Sequence, residues 1–259
     1  KKIYNFGLNK FAIKNFDNYS LILNIDLYTQ FMMYHYPYEP EIMDFMKKKI
    51  KKNDFVVEVG CHIGYFTCFM ASLLKNGTLL GFEPNSENHK ILNFNINING
   101  FNNVNIEKIA LSNQNQKTKL YLNKFNEGGH SISKKIKKSN FSNFEKIDSK
   151  RLDDFKNIIR KEIKIIKIDA EGHEESILKG MRNILKNNKI SPKFIILETE
   201  NLKRLKRNFS FLKNFNYSIY SYKENKSYND IKQYISIYSK NANYRETLFI
   251  KNYLFFSTY

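Results

Sequence analysis

Short apolar runs alternate with segments of helical periodicity from about Asp54 onward. Phe55–Val59 and Thr78–Phe82 are the first two predicted strands, and each is followed by apolar residues at helical spacing. This alternation is typical of a parallel sheet covered by helices. The sequence therefore predicts an α/β fold, with helices on both faces of a mostly parallel sheet.

The later segments extend the same pattern. A helix is predicted over Ser86–Ile98, and another after Asp169, with its apolar face at Ile177, Leu178, Met181, Ile184 and Leu185. The remaining predicted strands are residues 104–111, 117–122, 163–168, 194–197, 217–222, 234–238 and 247–250. The last three suit an antiparallel end of the sheet.

Two regions lack a sustained period. Residues 123–150 contain Gly128-Gly129 with serines and lysines, which predicts a long, mobile surface loop. Residues 1–45 are rich in aromatic residues and weakly periodic, so we assign them as an N-terminal cap. The length suits one large domain, over residues 46–259, after this cap.

The formal net charge of +18 favours an anionic partner. Lysine and asparagine are abundant throughout the chain, however, so compositional bias is the better explanation of the charge. The densest lysine cluster, residues 134–138, falls in the predicted loop, where charge runs are commonly solvated. Peripheral association with an anionic surface therefore remains an alternative, without a specific partner.

Membrane and disulfide signals point to a soluble protein. No apolar run approaches the ~20 residues of a transmembrane helix, and residues 1–15 lack the apolar stretch of a secretion signal. Cys61 and Cys68 lie seven residues apart, a spacing that indicates neither a disulfide framework nor a zinc site. These features predict a reducing, cytoplasmic location.

The first strand runs into a turn with two glycines four residues apart, Gly60 and Gly64, preceded by Glu58. Glycine permits a sharp turn and close ligand approach, and the following helix offers free N–H groups at its N-terminus. A dinucleotide site favours G-x-G-x-x-G, whose added glycine admits a pyrophosphate. S-adenosylmethionine (SAM) carries a cationic amino acid end instead, so an acid beside this turn favours SAM over NAD.

Glu83 ends the second strand, where such folds place an acid against the ribose hydroxyls. Either Glu58 or Glu83 alone is equally well explained as a surface acid, and the glycines as parts of a tight turn. Both acids and both glycines stand at the expected strand ends, and this combination favours a cofactor site.

Three segments together resemble the FkbM family of SAM-dependent O-methyltransferases. They are residues 56–67, Gly81-Phe82-Glu83-Pro84-Asn85, and Ile166-Lys167-Ile168-Asp169-Ala170-Glu171-Gly172-His173-Glu174, of which the last is the most specific. The resemblance extends from about Tyr38 to Glu200. It departs from the family at Glu58, where aspartate is usual, and at Cys61-His62, where Ala-Asn is common.

This resemblance implies a Rossmann-like class I methyltransferase sheet, SAM as cofactor, and transfer to a hydroxyl of a small molecule, namely a sugar, glycan or secondary metabolite. Residues 46–259 then form the methyltransferase domain. The cofactor contacts that the resemblance implies are Glu58, Gly60, Gly64 and Glu83. We also predict contacts from the neighbouring residues His62, Tyr65 and Pro84 and from Asp169.

Asp169, Glu171 and His173 are the predicted catalytic residues, at the carboxyl end of the fourth main strand, where such sheets bind ligands. Asp169 would contact the SAM amino group or the acceptor, and Glu171 would accept the hydroxyl proton or bind the sugar. His173 is a candidate base because imidazole titrates near neutral pH. Asp169 and Glu171 are alternatively helix caps, and His173 alternatively has no catalytic task. His130 is a further candidate from the predicted loop.

Three alternatives compete with this interpretation. Asp169 with Glu198 or Glu200 offers hard oxygen ligands to Mg²⁺, but acids at strand ends are also explained by solvation, and no metal ligand is assigned. An RNA or other nucleic-acid methyltransferase fits the charge and the aromatics. Enzymes that methylate exocyclic amines usually carry Asn or Asp followed by Pro-Pro and an aromatic residue, however, and here Ala170 follows Asp169. The third alternative is a non-catalytic glycan- or membrane-binding relative.

Overall fold

The computed structural model describes residues 3–6, 9–123, 126–133, 141–199, 202–221, 226–230 and 252–257. The strands are β1 (Ile3–Phe6), β2 (Asn9–Asn15), β3 (Ser20–Asn24), β4 (Phe55–Val59), β5 (Thr78–Phe82), β6 (Val104–Glu107), β7 (Ala110–Leu111), β8 (Gln116–Asn123), β9 (Phe141–Lys150), β10 (Ile163–Ile168), β11 (Phe194–Glu198), β12 (Tyr217–Ser221), β13 (Lys226–Tyr228) and β14 (Asn252–Ser257). The helices are α1 (Tyr28–His35), α2 (Pro40–Lys49), α3 (Tyr65–Leu73), α4 (Ser86–Ile98), α5 (Glu174–Gly180), α6 (Arg182–Lys186) and α7 (Leu202–Lys213), with a 3-10 turn at Leu152–Phe155.

The central sheet has the strand order β13-β12-β14-β11-β10-β4-β5-β6. Five neighbouring strands, from β11 to β6, run parallel, and β14, β12 and β13 pair antiparallel beyond β11. The direction of winding reverses between β4 and β10, and open sheets of this kind bind ligands at such a reversal. The predicted α/β class and the antiparallel C-terminal end are confirmed.

Helices cover both faces of this sheet, and the alternation along each strand decides which side chain enters which core. Val57 and Ile166 pack with α5, α6 and α7 on one face, whereas Val56 and Ile165 pack with α2 and α3 on the other. All four are fully buried. Each contributes about 1.5–3 kcal/mol of hydrophobic stabilisation relative to an exposed position. The strand ends are therefore held rigidly at the reversal point.

The N-terminal region forms an antiparallel sheet of its own, in the order β1-β2-β3. Strand β3 is tied to α4, because the Ile22 N–H donates to Asn95 Oδ1 at 2.8 Å and Asn99 Nδ2 donates to the Ser20 carbonyl at 2.7 Å. The predicted boundary between residues 45 and 46 falls inside α2, where Phe45 and Met46 are both buried in the α3-side core. The N-terminal residues therefore share a core with the main sheet.

Two of the secondary-structure predictions are wrong. The predicted loop over 123–150 contains strand β9, which pairs antiparallel with β8. The alternation of apolar and polar residues in β9 is weak, because its buried side chains among those described are only Ile147 and the small Ser149. The strand predicted over 104–111 is two strands in different sheets, β6 and β7. The lysine cluster at 134–138 and the strands predicted at 234–238 and 247–250 lie outside the described residues. Across the described helices, none has both the length and the apolar character needed to cross a bilayer.

Candidate active site

A cavity opens at the carboxyl ends of β4, β5, β10 and β11. The sheet forms its floor, while α1, the segment before α2 and residues 126–132 contribute to its other walls. The predicted site residues that line it are Glu58, Gly60, His62, Tyr65, Glu83, Pro84, Asp169, Glu171 and His173. Gly64 is not among the lining residues. The structure therefore brings together the residues of all three sequence segments at the reversal point of the sheet.

The two glycines of the first turn serve the backbone directly. Gly60 has φ +84°, and a Cβ atom there would overlap the Asp169 carbonyl oxygen, so this glycine lets the ends of β4 and β10 approach each other. Gly64 has φ +94° and begins α3, and a Cβ atom there would lie 2.8 Å from Leu92 Cδ1. Close packing of protein against protein accounts for both positions.

Glu83 is held by the backbone at the end of β5. Its Oε2 accepts a hydrogen bond from the His62 N–H at 2.8 Å, and its Oε1 accepts one from the Asn85 N–H at 2.9 Å. The side chain is buried, and burial raises the pKa of Glu83 to about 8. Each carboxylate oxygen has two lone pairs, so one position on each oxygen lies beyond the backbone hydrogen bonds, and the Asn88 side chain is within reach of one of these positions.

Glu58 lies at the end of β4, on the same side of the sheet as α3. Thr67 Oγ1, on that helix, donates a hydrogen bond to Glu58 Oε2 at 2.6 Å. Burial raises the pKa of Glu58 to about 7, although the nearby Lys167 ammonium opposes this shift. Glu58 is thus a fixed acid whose charge a cationic ligand would stabilise.

A carboxylate cluster lies at the ends of β10 and β11. Side-chain oxygens of Asp169, Glu171 and Glu198 lie within 4.8 Å of one another, and Lys167 Nζ donates to Asp169 Oδ2 at 2.9 Å. Burial alone would raise the pKa of Asp169, but the Lys167 charge and a hydrogen bond with Glu198 hold it below its usual range. Burial and the charge of Asp169 raise the pKa of Glu198 well above its usual range. Asp169 is therefore the ionised member of the Asp169–Glu198 pair.

Glu171 occupies an unusual backbone conformation after β10. Its φ is +44°, in the left-handed region that non-glycine residues rarely adopt, and Gly172 follows with φ +91°. Ser131 Oγ donates to the Glu171 carbonyl at 2.7 Å. Glu174 caps this turn, because its Oε1 accepts hydrogen bonds from the N–H groups of Ala170 and Gly172. Asp169 and Glu171 are alternatively caps of the following helix, but the N-cap position of α5 is His173, and no side chain makes a capping hydrogen bond there.

Three histidines are found among the described residues that line the cavity, and each is partly buried. Burial lowers the pKa of His173 to about 4, and its Nε2 lies 2.9 Å from Ser112 Oγ. This burial disfavours imidazolium, so His173 is less suited to act as a base near neutral pH than an ordinary imidazole. Burial likewise lowers the pKa of His62 to about 4, and its Nε2 is buried without a hydrogen-bond partner among the described residues. His130 lines the cavity, and its Nδ1 accepts from the Asn123 N–H at 3.1 Å.

Two functional residues of the cavity were missed or only partly anticipated. Lys167 was part of a predicted strand and received no role, although it is 3% exposed and lines the cavity. Glu198 was considered only as a metal ligand. The sequence does contain a signal for this pair: Lys167 is flanked by isoleucines and lies two residues before Asp169. A buried strand seldom contains an unpaired charge, so this pattern indicates a buried ion pair.

The outer wall of the cavity joins the N-terminal region to residues 126–133. Thr29 Oγ1 donates to Asn126 Oδ1 at 2.7 Å, and the Gln30 N–H donates to Glu127 Oε1 at 3.2 Å. Asn88 Nδ2, on α4, donates to the Glu127 carbonyl. These contacts place a short connecting segment over the site, supported by two helices.

This chain is similar to a known protein family and to a known protein. The family model described as the methyltransferase FkbM domain matches residues 58–246. A relative, Methyltransferase 1 of Beauveria bassiana (strain ARSEF 2860), is 22% identical over 190 residues, which cover 62% of this chain and 76% of the relative.

Solved structures show the fold. The methyltransferase FkbM of Methylobacillus flagellatus KT matches with a TM-score of 0.50 at 14% identity, covering 80% of this chain and 44% of that chain. This chain thus spans less than half of that protein's length. The TYW2 protein of M. jannaschii, solved in complex with AdoMet, has a TM-score of 0.42 at 13% identity, covering 85% of this chain and 81% of that one. The architecture is the Rossmann-like fold of class I methyltransferases.

Proposed function

We propose that this chain, which belongs to the FkbM methyltransferase family, is a SAM-dependent O-methyltransferase acting on a hydroxyl of a sugar, glycan or secondary metabolite. The observation that carries the proposal is the fixed Glu83 carboxyl at the carboxyl end of β5, the strand beside the reversal point, with one lone pair on each oxygen beyond its backbone hydrogen bonds. That arrangement suits the two neighbouring hydroxyls of a ribose.

The rest of the cavity fits the cofactor as well. Glu58 and Asp169 supply negative charge on the floor, where the cationic amino acid end of SAM would be held. The unpartnered His62 Nε2 is available for a hydrogen bond to a ligand. When bound, SAM supplies an electrophilic methyl group on a positively charged sulfur. Gly60, Tyr65 and Pro84 shape the wall beside it, while Gly64 acts through the start of α3.

The acceptor end is proposed to lie at Asp169 and Glu171. Methyl transfer to a hydroxyl releases the hydroxyl proton, so a carboxylate must stand within hydrogen-bond reach of the acceptor oxygen. Glu171 is the proposed proton acceptor, because its left-handed turn, held by Ser131 and Glu174, fixes it at the cavity wall. Asp169, kept ionised by Lys167, orients the acceptor, and His173 shapes the cavity wall.

A nucleic-acid acceptor is the second candidate, and the net charge of +18 is the observation that favours it. The cavity itself has the opposite character, since six carboxyl groups line it among the described residues, namely Glu39, Glu58, Glu83, Asp169, Glu171 and Glu198. Carboxylates at the acceptor end repel phosphodiesters and accept hydrogen bonds from hydroxyls. We therefore favour a neutral, hydroxyl-rich acceptor.

A labelled-SAM transfer assay tests both candidates. The protein is incubated with SAM labelled in the methyl group and with panels of glycans, hydroxylated small molecules and RNA, and the products are analysed by mass. Methyl ethers on glycans or small molecules support the proposal. Methylated RNA alone would replace it with the second candidate, and failure to bind SAM in calorimetry would leave a non-catalytic relative.

A further inference from the structure

Lys167 lies inside a strand of the parallel sheet and is 3% exposed. Lysine is almost never fully buried in proteins unless it is paired. Its Nζ makes the 2.9 Å ion pair with Asp169 Oδ2 and lies 4.6 Å from the centre of the Phe66 ring. Both contacts stabilise an ammonium ion.

The pairing of the strands explains why this lysine faces acids. Lys167 is directly opposite Glu58 on β4 and Ile196 on β11. Side chains two residues apart in a strand point to the same face of the sheet. Asp169 lies two residues after Lys167, and Glu198 lies two residues after Ile196. Both acids are therefore on the same face of the sheet as Lys167. Within the described cavity lining, Lys167 is the only lysine or arginine, in contrast to the basic composition of the whole chain.

The Asp169, Glu171 and Glu198 oxygens are spaced closely enough to share one cation. Asp169 is the ionised member of its pair with Glu198, and a cation beside it offsets its charge in this group of acids. The ammonium of Lys167 is already within hydrogen-bond distance of one of them. Lys167 lies in a strand, is almost fully buried, and packs against the Phe66 ring.

We propose that Lys167 is a positioning residue that serves as the counter-ion of the Asp169, Glu171 and Glu198 cluster. Its ammonium holds the Asp169 carboxylate toward the cavity. In this cluster it takes the place of a divalent cation. Its effect on turnover rests on the proposed methyl transfer. Its effect on cation binding does not, and the two effects are measured separately.

Lys167→Met removes the charge and keeps the length of the side chain. Lys167→Arg restores the charge, and Lys164→Met is the matched control, because Lys164 is in the same strand but does not line the cavity. Each protein is titrated with Mn²⁺, followed by electron paramagnetic resonance, and with SAM, followed by calorimetry. Circular dichroism verifies folding.

Lys167→Met is expected to bind Mn²⁺ at least ~10-fold more tightly than the wild type, because the carboxylates then lack an internal cation. Its turnover is expected to fall at least ~10²-fold, because a displaced reacting group costs about that much. Lys167→Arg should recover most of both properties, and Lys164→Met should match the wild type.

Two results would overturn the inference. One is a folded Lys167→Met protein whose Mn²⁺ affinity and turnover equal those of the wild type. The other is tight Mn²⁺ binding by the wild type that Glu198→Gln abolishes, and this measurement decides the matter even if Lys167→Met does not fold. If neither the wild type nor Lys164→Met binds SAM or transfers its methyl group, the proposed function is contradicted. The Mn²⁺ titrations would still test the role of Lys167 in that case.

Discussion

Replacing Glu83 with alanine tests the cofactor site at a residue whose contacts are well defined. The carboxylate accepts one backbone hydrogen bond on each oxygen, from His62 and Asn85. In the proposed complex the ribose hydroxyls would take the two remaining positions, one of which is within reach of the Asn88 side chain. A hydrogen bond to a charged group contributes about 1.5–3 kcal/mol. Two such bonds therefore contribute about 3–6 kcal/mol to SAM binding.

The raised pKa of Glu83 reduces this gain. Because burial raises the pKa to about 8, ionising the carboxyl at neutral pH costs about 1.4 kcal/mol, the equivalent of one pH unit. The net contribution is about 2–5 kcal/mol. Glu83→Ala should accordingly raise the SAM dissociation constant by between ~30-fold and ~4,000-fold.

The raised pKa of Glu83 also determines how the stability of the fold and the affinity for SAM change with pH. The folded protein without ligand keeps the Glu83 proton to about pH 8, well above the ordinary glutamate value of 4.5. The stability that the folded protein gains by keeping this proton is fully present below pH 4.5, the ordinary glutamate pKa. It is lost as the pH rises through about 8. SAM affinity changes in the opposite direction, since binding needs the carboxylate. It should rise by about tenfold per pH unit below the folded pKa and level off above it.

Isothermal titration calorimetry below and above the folded pKa measures both effects, with melting temperatures recorded on the same samples. Glu87→Ala is the matched control, because Glu87 is on the neighbouring helix α4 with its side chain 75% exposed and paired to Lys90. A folded Glu83→Ala protein with an unchanged dissociation constant would refute the cofactor assignment. An equal loss in Glu87→Ala would show that the effect is not specific to the cavity.

Three further predictions concern the acceptor end, the backbone and the outer wall. Glu171→Gln should leave SAM affinity within a few fold and lower single-turnover rates by ~10² or more, the scale of a positioned base; normal turnover would remove Glu171 from the reaction. Gly60→Ala should lower stability by at least about 1–3 kcal/mol in chemical denaturation, because of its positive φ and the overlap with Asp169. Gly100→Ala, which has φ +65° but no neighbour within 4 Å, should cost less, and equal losses would contradict the steric argument. Amide exchange in residues 126–133 should slow when cofactor and acceptor are both bound, and unchanged exchange would make this segment a passive wall.

The elements predicted correctly are those in which the local pattern and the packing agree. Phe55–Val59, Thr78–Phe82 and Ser86–Ile98 have the bounds expected from sequence. The two strands are nearly continuous apolar runs, as expected when both faces of a sheet are covered. Asn85 caps the helix by accepting from the Asn88 N–H, and Gly100 follows its end with a positive φ.

The missed features depend on contacts distant in the chain. Strand β9 is specified mainly by its backbone pairing with β8, so its own alternation is too weak to reveal it. The burial of Lys167 requires knowledge that Glu58 is opposite it on a strand more than a hundred residues earlier. The neutral state of His173 likewise follows from burial that its position in a polar turn does not indicate. Sequence patterns locate the acids at the strand ends, but the three-dimensional neighbours decide their charge states.

The hydrogen bonds between β3 and α4 also have a consequence for the order of events during synthesis. Asn95 is fully buried and bonds both the Ile22 backbone and, through Nδ2, the Ile63 carbonyl of the first turn. Ile22 and Asn95 are 73 residues apart in sequence. At a translation rate of about 5–20 residues per second, β3 leaves the ribosome roughly 4–15 seconds before its partner. During that interval the N-terminal sheet has exposed apolar side chains such as Leu21 and Leu23, and the nascent chain is then most open to chaperones and to aggregation.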